Sequence, residues 1–282
     1  MSDMRLSSQK KRSRPRGWAV VTGASSGLGR KFSLALADRG HPVLAAARRG
    51  ERLNALADEV QLRGQRLEPL TVDLSTEAGI ETLLARAAAL EIDLLVNNAG
   101  LAAYGPFSAT PAGRELEIVR VNVEAIVAVT RRLLPAMLER GAGGIINVSS
   151  QMAFQPMPYF AAYAASKAFV LSFSEALAVE LRGTGVRVTA VAPGFISTEF
   201  AAVANSQALE HRLPHLNPDR VVVAALRAHD RGRTVKIVGV FYTFLTIVGR
   251  FVPRAALRRA MGKVMQPVPM PPSSNSRAKP PT

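Results

Sequence analysis

A short apolar run followed by a glycine-rich turn and a helical pattern constrains the fold of this chain most strongly. Residues 19–21 predict a buried strand, glycines follow at 23, 27 and 29, and apolar residues at helical spacing continue to Gly40. This order aims backbone N–H groups and a helix N-terminus at a phosphate, and glycine permits the tight turn. An ordinary strand-to-helix loop is the alternative for such a turn on its own. As a pyrophosphate site it would use the residues of the turn, namely Gly23, Ser25, Ser26, Gly27, Leu28 and Gly29.

The rest of the chain repeats this alternation of short apolar runs with longer helical patterns. The alternation predicts an α/β protein, and 282 residues, 48% of them hydrophobic, suffice for one domain with a large core. A long helical region is expected over residues 111–138. Further strands are expected over residues 41–47, 67–72, 93–96, 143–150, 186–191 and 234–238.

The net charge of +15 lies mainly in the flanks of the chain. Residues 1–16 carry a net charge of +5 and residues 250–282 a net charge of +7, so 12 of the 15 charges lie outside the body. Such tails favour contact with membrane lipid, or simple solubility, over sequence-specific DNA binding, and no nucleic-acid partner is expected. With no cysteine and four scattered histidines, disulfides and thiolate metal sites are excluded, and no metal site is expected.

Tyr163 and Lys167 form the pair of side chains that most clearly suggests acid–base chemistry. Four residues apart in a helical pattern, they would lie on one helix face, where the ammonium group could stabilise the anion of the phenol. Tyr163 would then be a general acid or base that Lys167 tunes. Ser150 ends the predicted strand over 143–150, and its hydroxyl could hold a substrate oxygen beside the phenol. An aromatic helix residue beside a solvated lysine is the alternative for such a pair in isolation.

Two arginines follow the second predicted strand, at the place where dinucleotide folds meet the adenosine ribose. The strand ends at Ala47 without an acid, and Arg48 and Arg49 come next. A guanidinium group suits the 2′-phosphate of NADP, so the pattern favours NADP(H) over NAD(H). A solvated arginine pair at the start of a helix is the alternative. Asp73, after the third strand, could bind the adenine amino group or belong to a turn.

Asn122 and an apolar loop are the remaining candidates around the predicted chemistry. Asparagine is a poor choice inside a helix rich in valine, so Asn122 would either hold a water that relays protons behind Lys167 or mark a kink. The loop after Ser150 is apolar, which predicts a hydrophobic small-molecule substrate. The expected pocket residues are Met152, Phe154, Tyr159, Phe195 and Phe200.

The ends of the chain predict its location. Only residues 18–21 are apolar after the basic run that ends at Arg16, which is too short for a signal peptide, so a cytoplasmic protein is expected. Residues 237–249 carry no charge but are too few to span a bilayer. Followed by arginines, this stretch could lie on a membrane surface, cover the substrate pocket or contact another subunit.

Taken together, these motifs resemble the short-chain dehydrogenase/reductase family over residues 17–240. The residues that carry the resemblance are Thr22, Gly23, Gly27, Gly29, residues 97–100, Asn122, Ser150, Tyr163, Lys167, Pro193 and Gly194. The resemblance implies a Rossmann-type three-layer αβα sandwich with a parallel sheet of about seven strands. It also implies an enzyme that transfers hydride between a nicotinamide cofactor and a carbonyl or alcohol carbon. A homodimer or homotetramer is expected, because similar proteins bury the helices around Asn122 and Tyr163.

The resemblance assigns roles to residues of this chain. Asn122, Ser150, Tyr163 and Lys167 would be catalytic. Besides the residues of the glycine turn, the expected cofactor contacts are Arg48, Arg49, Asp73, Leu74, Asn98, Ala99, Gly100, Tyr163, Lys167, Pro193, Gly194, Ile196 and Thr198. A cofactor-binding sensor without catalysis and a membrane-associated lipid reductase are the alternatives to a soluble reductase.

The bounds of the resemblance and the composition of the flanks predict how the chain is divided. Residues 1–16 would be a basic disordered tail, residues 17–240 the catalytic domain, residues 241–265 an apolar and basic helical segment, and residues 266–282 a second disordered tail.

Overall fold

The structure, a computed structural model, describes residues 16–196, 199, 204, 206 and 214–267. Thr198 and Phe200, both expected at the site, lie outside the described residues. So do residues 1–15 and 268–282 of the expected tails.

Within these residues the chain builds one parallel sheet of seven strands, in the order β3-β2-β1-β4-β5-β6-β7. The strands are β1 (Trp18–Thr22), β2 (Val43–Ala47), β3 (Leu67–Thr71), β4 (Ile92–Asn97), β5 (Gly143–Val148), β6 (Val186–Pro193) and β7 (Val235–Val238). The alternation of strands and helices along the chain explains the parallel arrangement, because each helix brings the chain back to the end of the sheet at which every strand begins. The expected α/β fold with about seven parallel strands is confirmed.

Helices cover both faces of the sheet. They are α1 (Gly27–Asp38), α2 (Gly50–Leu62), α3 (Glu77–Ala88), α4 (Ala112–Val119), α5 (Ala125–Glu139), α6 (Ala161–Glu180), α7 (Pro218–Asp230), α8 (Val240–Gly249) and α9 (Arg254–Val264). None of the helices within the described ranges is long and apolar enough to cross a membrane.

The core consists of two layers, one on each face of the sheet. Ala19 and Val21 of β1 belong to the layer beneath α1, α2 and α7, whereas Val20 belongs to the layer beneath α3, α5 and α6. Successive side chains of a strand point to opposite faces, so a strand buried on both faces is apolar throughout, as the run over 19–21 is.

The long helical region expected over 111–138 is interrupted by a π-helical turn, Arg120–Glu124, between α4 and α5. Asn122 lies in this turn. Single π turns within α-helices are frequent at functional sites because they re-aim one side chain without breaking the helix.

Candidate active site

The site lies where the strand order of the sheet reverses. β1 lies between β2 and β4, so the connections that follow β1 and β4 leave on opposite sides and open a cleft at the carboxyl ends of the strands. The cleft has a volume of about 350 Å³. Among the predicted cofactor residues, those that line it are Gly23, Ser25, Ser26, Gly27, Leu28, Arg48, Arg49, Asp73, Leu74, Asn98, Ala99, Gly100, Tyr163, Lys167, Pro193, Gly194 and Ile196.

The glycine turn forms one end of the cleft. Gly23 and Gly27 have φ angles of +68° and +52°, which favour glycine. A Cβ atom on Gly23 would lie 2.8 Å from the Cα atom of Ala99 and 2.9 Å from the side-chain nitrogen Nδ2 of Asn98. The side chain of Asn98 donates to the carbonyl oxygen of Thr22 at 2.8 Å, which fixes the turn against β4. Gly29 does not line the cleft but packs beneath the turn.

The two arginines after β2 have different surroundings. Arg49 donates to the hydroxyl oxygens of Ser25 at 3.2 Å and Ser26 at 2.6 Å, and it also pairs with the carboxylate of Glu199 at 3.0 Å. Arg48 pairs instead with Glu117 of α4 at 2.9 Å. Both side chains line the cleft, but only Arg49 reaches the glycine turn in this arrangement.

Tyr163, Ser150 and Lys167 meet further along the cleft. Tyr163 and Lys167 lie one turn apart on α6, and Ser150 follows the end of β5. The Ser150 hydroxyl is hydrogen-bonded to the phenol of Tyr163. The ammonium group of Lys167 donates to the carbonyl oxygen of Val148 at 2.8 Å and lies 5.8 Å from the centre of the Tyr163 ring.

Burial perturbs both titratable groups of this trio. Removal from water raises the pKa of Tyr163 to about 12, an effect that the hydrogen bond with Ser150 partly opposes. Removal from water lowers the pKa of Lys167 to about 8. The phenol is therefore protonated at neutral pH, and most of the lysine still carries its charge.

Asn122 is fully buried behind this trio and braces it. Its carbonyl oxygen accepts from the backbone N–H of Leu101 at 2.8 Å, and its amide group donates to the carbonyl of Leu101 at 3.0 Å and to the Ser166 hydroxyl at 2.9 Å. Ser166 in turn donates to the backbone carbonyl of Tyr163 at 2.7 Å. A Cβ atom on Gly100 would lie 3.3 Å from the lysine nitrogen and 3.5 Å from the carbonyl oxygen of Asn122, so Gly100 leaves space between them.

The other end of the cleft is apolar. Met152 and Phe195 line it, together with Phe160, whose ring centre lies 6.1 Å from that of Tyr163. Among the described residues that line the cleft, the predicted Phe154 and Tyr159 are absent. Tyr159 packs instead against the edge of the apolar cluster that contains Met152, Phe160 and Tyr163. Its φ angle is +66°.

Residues distant in sequence complete the site. Met261 of α9 and Met265 just after it pack into the apolar cluster around Tyr163, and the phenol of Tyr104 donates to the carbonyl of Met265 at 2.9 Å. Gln151, Ser206 and His215 line the cleft. Sequence reasoning did not find these residues, and only the apolar spacing of the methionines in the last helix was a usable signal.

The residues present fit a nicotinamide dinucleotide. Backbone N–H groups at the start of α1 and the side chains of Ser25, Ser26 and Arg49 offer donors at one end, as a pyrophosphate or phosphate requires. The buried ammonium group of Lys167 offers donors near the middle, as ribose hydroxyls require.

Comparison with known proteins agrees with this geometry. The family model described as short chain dehydrogenase matches residues 17–209. An uncharacterized oxidoreductase of Myxococcus xanthus is 45% identical over 189 residues, which cover 66% of this chain and 75% of the relative. The NADP-dependent 3-hydroxy acid dehydrogenase YdfG of Salmonella typhi is 36% identical over 80% of this chain and 96% of its own.

A solved structure of a short-chain dehydrogenase also matches this chain. The short-chain dehydrogenase from Sphingobium yanoikuyae in complex with NADPH superposes with a TM-score of 0.76 at 32% identity, covering 86% of this chain and 96% of that one. The resemblance inferred from the sequence is thereby confirmed. The chain belongs to the short-chain dehydrogenase family and is an NAD(P)-dependent oxidoreductase that acts on carbonyl or alcohol groups.

Proposed function

We propose that this protein is an NADP(H)-dependent oxidoreductase that interconverts a hydrophobic ketone or aldehyde and its alcohol, with Tyr163 as the acid and base. The observation that carries the proposal is one cleft with a glycine turn at one end and the hydrogen-bonded Tyr163 and Ser150 beside an apolar cluster at the other. The relatives named as NADP-dependent or bound to NADPH support the choice of cofactor.

The proton transfer is the part of the reaction that this chain performs. A bound nicotinamide supplies or accepts the hydride. In reduction, the Tyr163 hydroxyl donates its proton to the carbonyl oxygen, and the Ser150 hydroxyl holds that oxygen by a hydrogen bond. The raised pKa of Tyr163 keeps the proton on the phenol until the substrate oxygen becomes basic.

Lys167 acts on the phenolate that remains. Its charge lies 5.8 Å from the phenol ring in a buried setting, so it stabilises that anion more than a solvated lysine would. In the free protein the effect of burial on the pKa of Tyr163 predominates. The lowering of this pKa by Lys167 therefore remains a prediction for the loaded enzyme.

Asn122 is a positioning residue in this proposal. It fixes the loop at Leu101 and, through Ser166, the backbone of Tyr163. A water that relays protons to Lys167 would lie in the space beside Gly100, which both Asn122 and Lys167 border.

Arg48 and Arg49 would both contact the 2′-phosphate. Arg49 already lies at the glycine turn, next to the Ser25 and Ser26 hydroxyls that a phosphate oxygen would also reach. Arg48 would exchange its exposed pairing with Glu117 for the phosphate, at little cost because such surface ion pairs contribute about 0–1 kcal/mol.

We also propose a homodimer or homotetramer formed through the α5 and α6 faces. Val127 and Leu138 on α5 and Phe169 and Val179 on α6 are exposed large apolar side chains, although each helix already packs one face on the sheet. A second copy that covers them would remove this apolar surface from water.

Cofactor titration followed by a panel of hydrophobic ketones and aldehydes tests the proposed function. NADPH should bind at least tenfold more tightly than NADH, and turnover read at the nicotinamide absorbance should fall by about 10²- to 10⁴-fold in Tyr163→Phe. Tyr159→Phe, a tyrosine four residues earlier that does not line the cleft, is the matched control and should retain activity. Turnover that survives in Tyr163→Phe would contradict the assignment of the acid.

Single replacements test the choice of cofactor. Arg48→Ala and Arg49→Ala should each weaken NADPH binding by about ten- to a hundredfold, because a charged hydrogen bond is lost, and should weaken NADH binding much less. Equal losses for both nucleotides would refute phosphate recognition by these residues.

A further inference from the structure

Helix α8 exposes an apolar stripe along one face. Val240, Phe244 and Ile247 of α8 and Phe251, two residues after the end of the helix, follow one another at intervals of four, three and four residues, and Val240 and Phe251 are 90% and 83% exposed. We call these four residues the apolar stripe. Four large apolar side chains on one stripe rarely face water without a partner, since contiguous exposed apolar patches mark interaction sites.

The opposite face of α8 anchors the helix to the domain. Tyr242 and Thr246 are buried, and the phenol of Tyr242 donates to the carbonyl oxygen of Pro214. The ring of Tyr242 packs against Gly194 at the end of β6. The orientation of the helix is therefore fixed from below, and the apolar stripe faces outward as a consequence.

Positive charge follows the stripe along the chain, and no acidic residue follows it in the sequence. The cations are Arg250, Arg254, Arg258, Arg259 and Lys263. All five are exposed, and none forms an ion pair with another residue in the part of the chain that the structure describes. The sequence contains no aspartate or glutamate after Asp230. A partner that covers this region must therefore supply both apolar volume and negative charge.

The inner face of α9 closes the apolar end of the cleft. Met261 and Met265 pack into the cluster around Tyr163, and the amide of Gln155 contacts the sulfur of Met261 at 3.8 Å. The exposed cations of α9 and the apolar stripe of α8 thus lie on the segment that also forms a wall of the substrate cleft.

We propose that α8 and α9 form a docking surface for a lipid bilayer that contains anionic phospholipid. The apolar stripe would enter the boundary between head groups and acyl chains, and the five cations would contact lipid phosphates, as in helices that lie in the plane of a membrane surface. The charges favour this occupant over a second copy of the chain, because a symmetric pairing of the surface would bring two sets of five cations together without an acid between them. The docking surface stands independently of the proposed function.

Flotation with vesicles tests the proposal on the full chain. The protein should float with phosphatidylcholine vesicles that contain phosphatidylglycerol, and much less with phosphatidylcholine alone or at high salt. Phe244→Ser/Phe251→Ser and Arg254→Glu/Arg258→Glu should each reduce the bound fraction at least tenfold, since each cation near an anionic surface strengthens binding about fivefold. Leu62→Ser on α2, where the leucine is 89% exposed, is the matched control and should float as the parent does.

Three results would overturn the proposal. One is the absence of flotation with anionic vesicles, and another is flotation that both double variants retain, which would assign the binding to other parts of the chain. The third is a change of oligomeric state in Phe244→Ser/Phe251→Ser, measured by sedimentation, without a change in flotation; this would identify a second copy as the occupant. Thermal unfolding of each variant confirms that the fold is intact.

Discussion

Replacement of Lys167 by methionine should stabilise the fold while it removes activity. Burial lowers the pKa of Lys167 from its ordinary value near 10.5 to about 8. At 1.36 kcal/mol per pH unit, this difference means that the charged side chain destabilises the folded state by about 3 kcal/mol at pH 7. Methionine removes that charge but also the hydrogen bond to Val148, which contributes about 1 kcal/mol. Lys167→Met should therefore raise the free energy of unfolding by about 2 kcal/mol at pH 7.

The pH dependence of this gain identifies its cause. Between pH 8 and 10.5 the unfolded chain still binds the lysine proton and the folded chain does not, so stability of the parent rises with pH over that window. The advantage of Lys167→Met should accordingly shrink to less than about 1 kcal/mol at pH 9.5. Urea unfolding followed by circular dichroism at pH 7 and pH 9.5 measures both values. Lys263→Met, on the exposed side of α9, is the control in which no such pH-dependent gap is expected.

A Lys167→Met variant that is less stable than the parent at pH 7, or a stability difference between the two proteins that does not change with pH, would contradict the expected gain. Either result would mean that the folded state compensates the lysine charge by interactions that the structure does not contain.

Two further predictions concern buried polar groups near and below the site. Burial lowers the pKa of His229 to about 4, so the stability contributed by the neutral ring should be lost as the pH falls from 6.5 to 4, by up to about 3 kcal/mol. His229→Asn can keep the hydrogen bond to Thr189. In urea titrations over a pH series, the free energy of unfolding of this variant should fall less steeply on the acid side, its acid limb, than that of the parent. A parallel acid limb in both proteins would assign the loss to carboxylates. Asn122→Leu leaves Leu101 and Ser166 without their buried partners and should lower the free energy of unfolding by about 3–5 kcal/mol, measured by urea unfolding. Asn97→Leu replaces a similarly buried asparagine away from Tyr163 and is the control for the loss of stability. The kcat value should fall more in Asn122→Leu than in Asn97→Leu.

Much of the fold and the cofactor end of the site could be predicted because their signals are local. The apolar run over 19–21 and the glycines after it define strand, turn and helix start within twelve residues, and the structure places them so. The same holds for Tyr163 and Lys167, whose spacing within one helix already determines that they share a face. Ser150 follows a strand, and parallel strands bring their carboxyl ends to one edge of the sheet.

Other parts of the site could not be predicted, because they depend on packing between distant segments. Arg48 and Arg49 are adjacent and chemically identical in sequence; their different surroundings arise because Glu117 arrives on α4, 69 residues from Arg48. Phe154 and Met152 are likewise equivalent apolar residues of one loop, and the short helical turn there directs only Met152 into the cleft. Met265 enters the apolar cluster from more than a hundred residues after Tyr163.

The departures from ordinary local structure gather at one end of the sheet, which is an independent argument that the site is functional. A buried lysine, a π-helical turn at Asn122 and a non-glycine residue with positive φ at Tyr159 each destabilise the fold if considered alone. All three lie in or beside the apolar part of the cleft, whereas β1 and β2 beneath them are fully buried strands in which Thr22 is the one polar residue. A chain selected for stability alone would replace Lys167 with an apolar residue, and the expected stability of Lys167→Met shows by how much. The persistence of the charge is therefore best explained by the chemistry that it supports beside Tyr163.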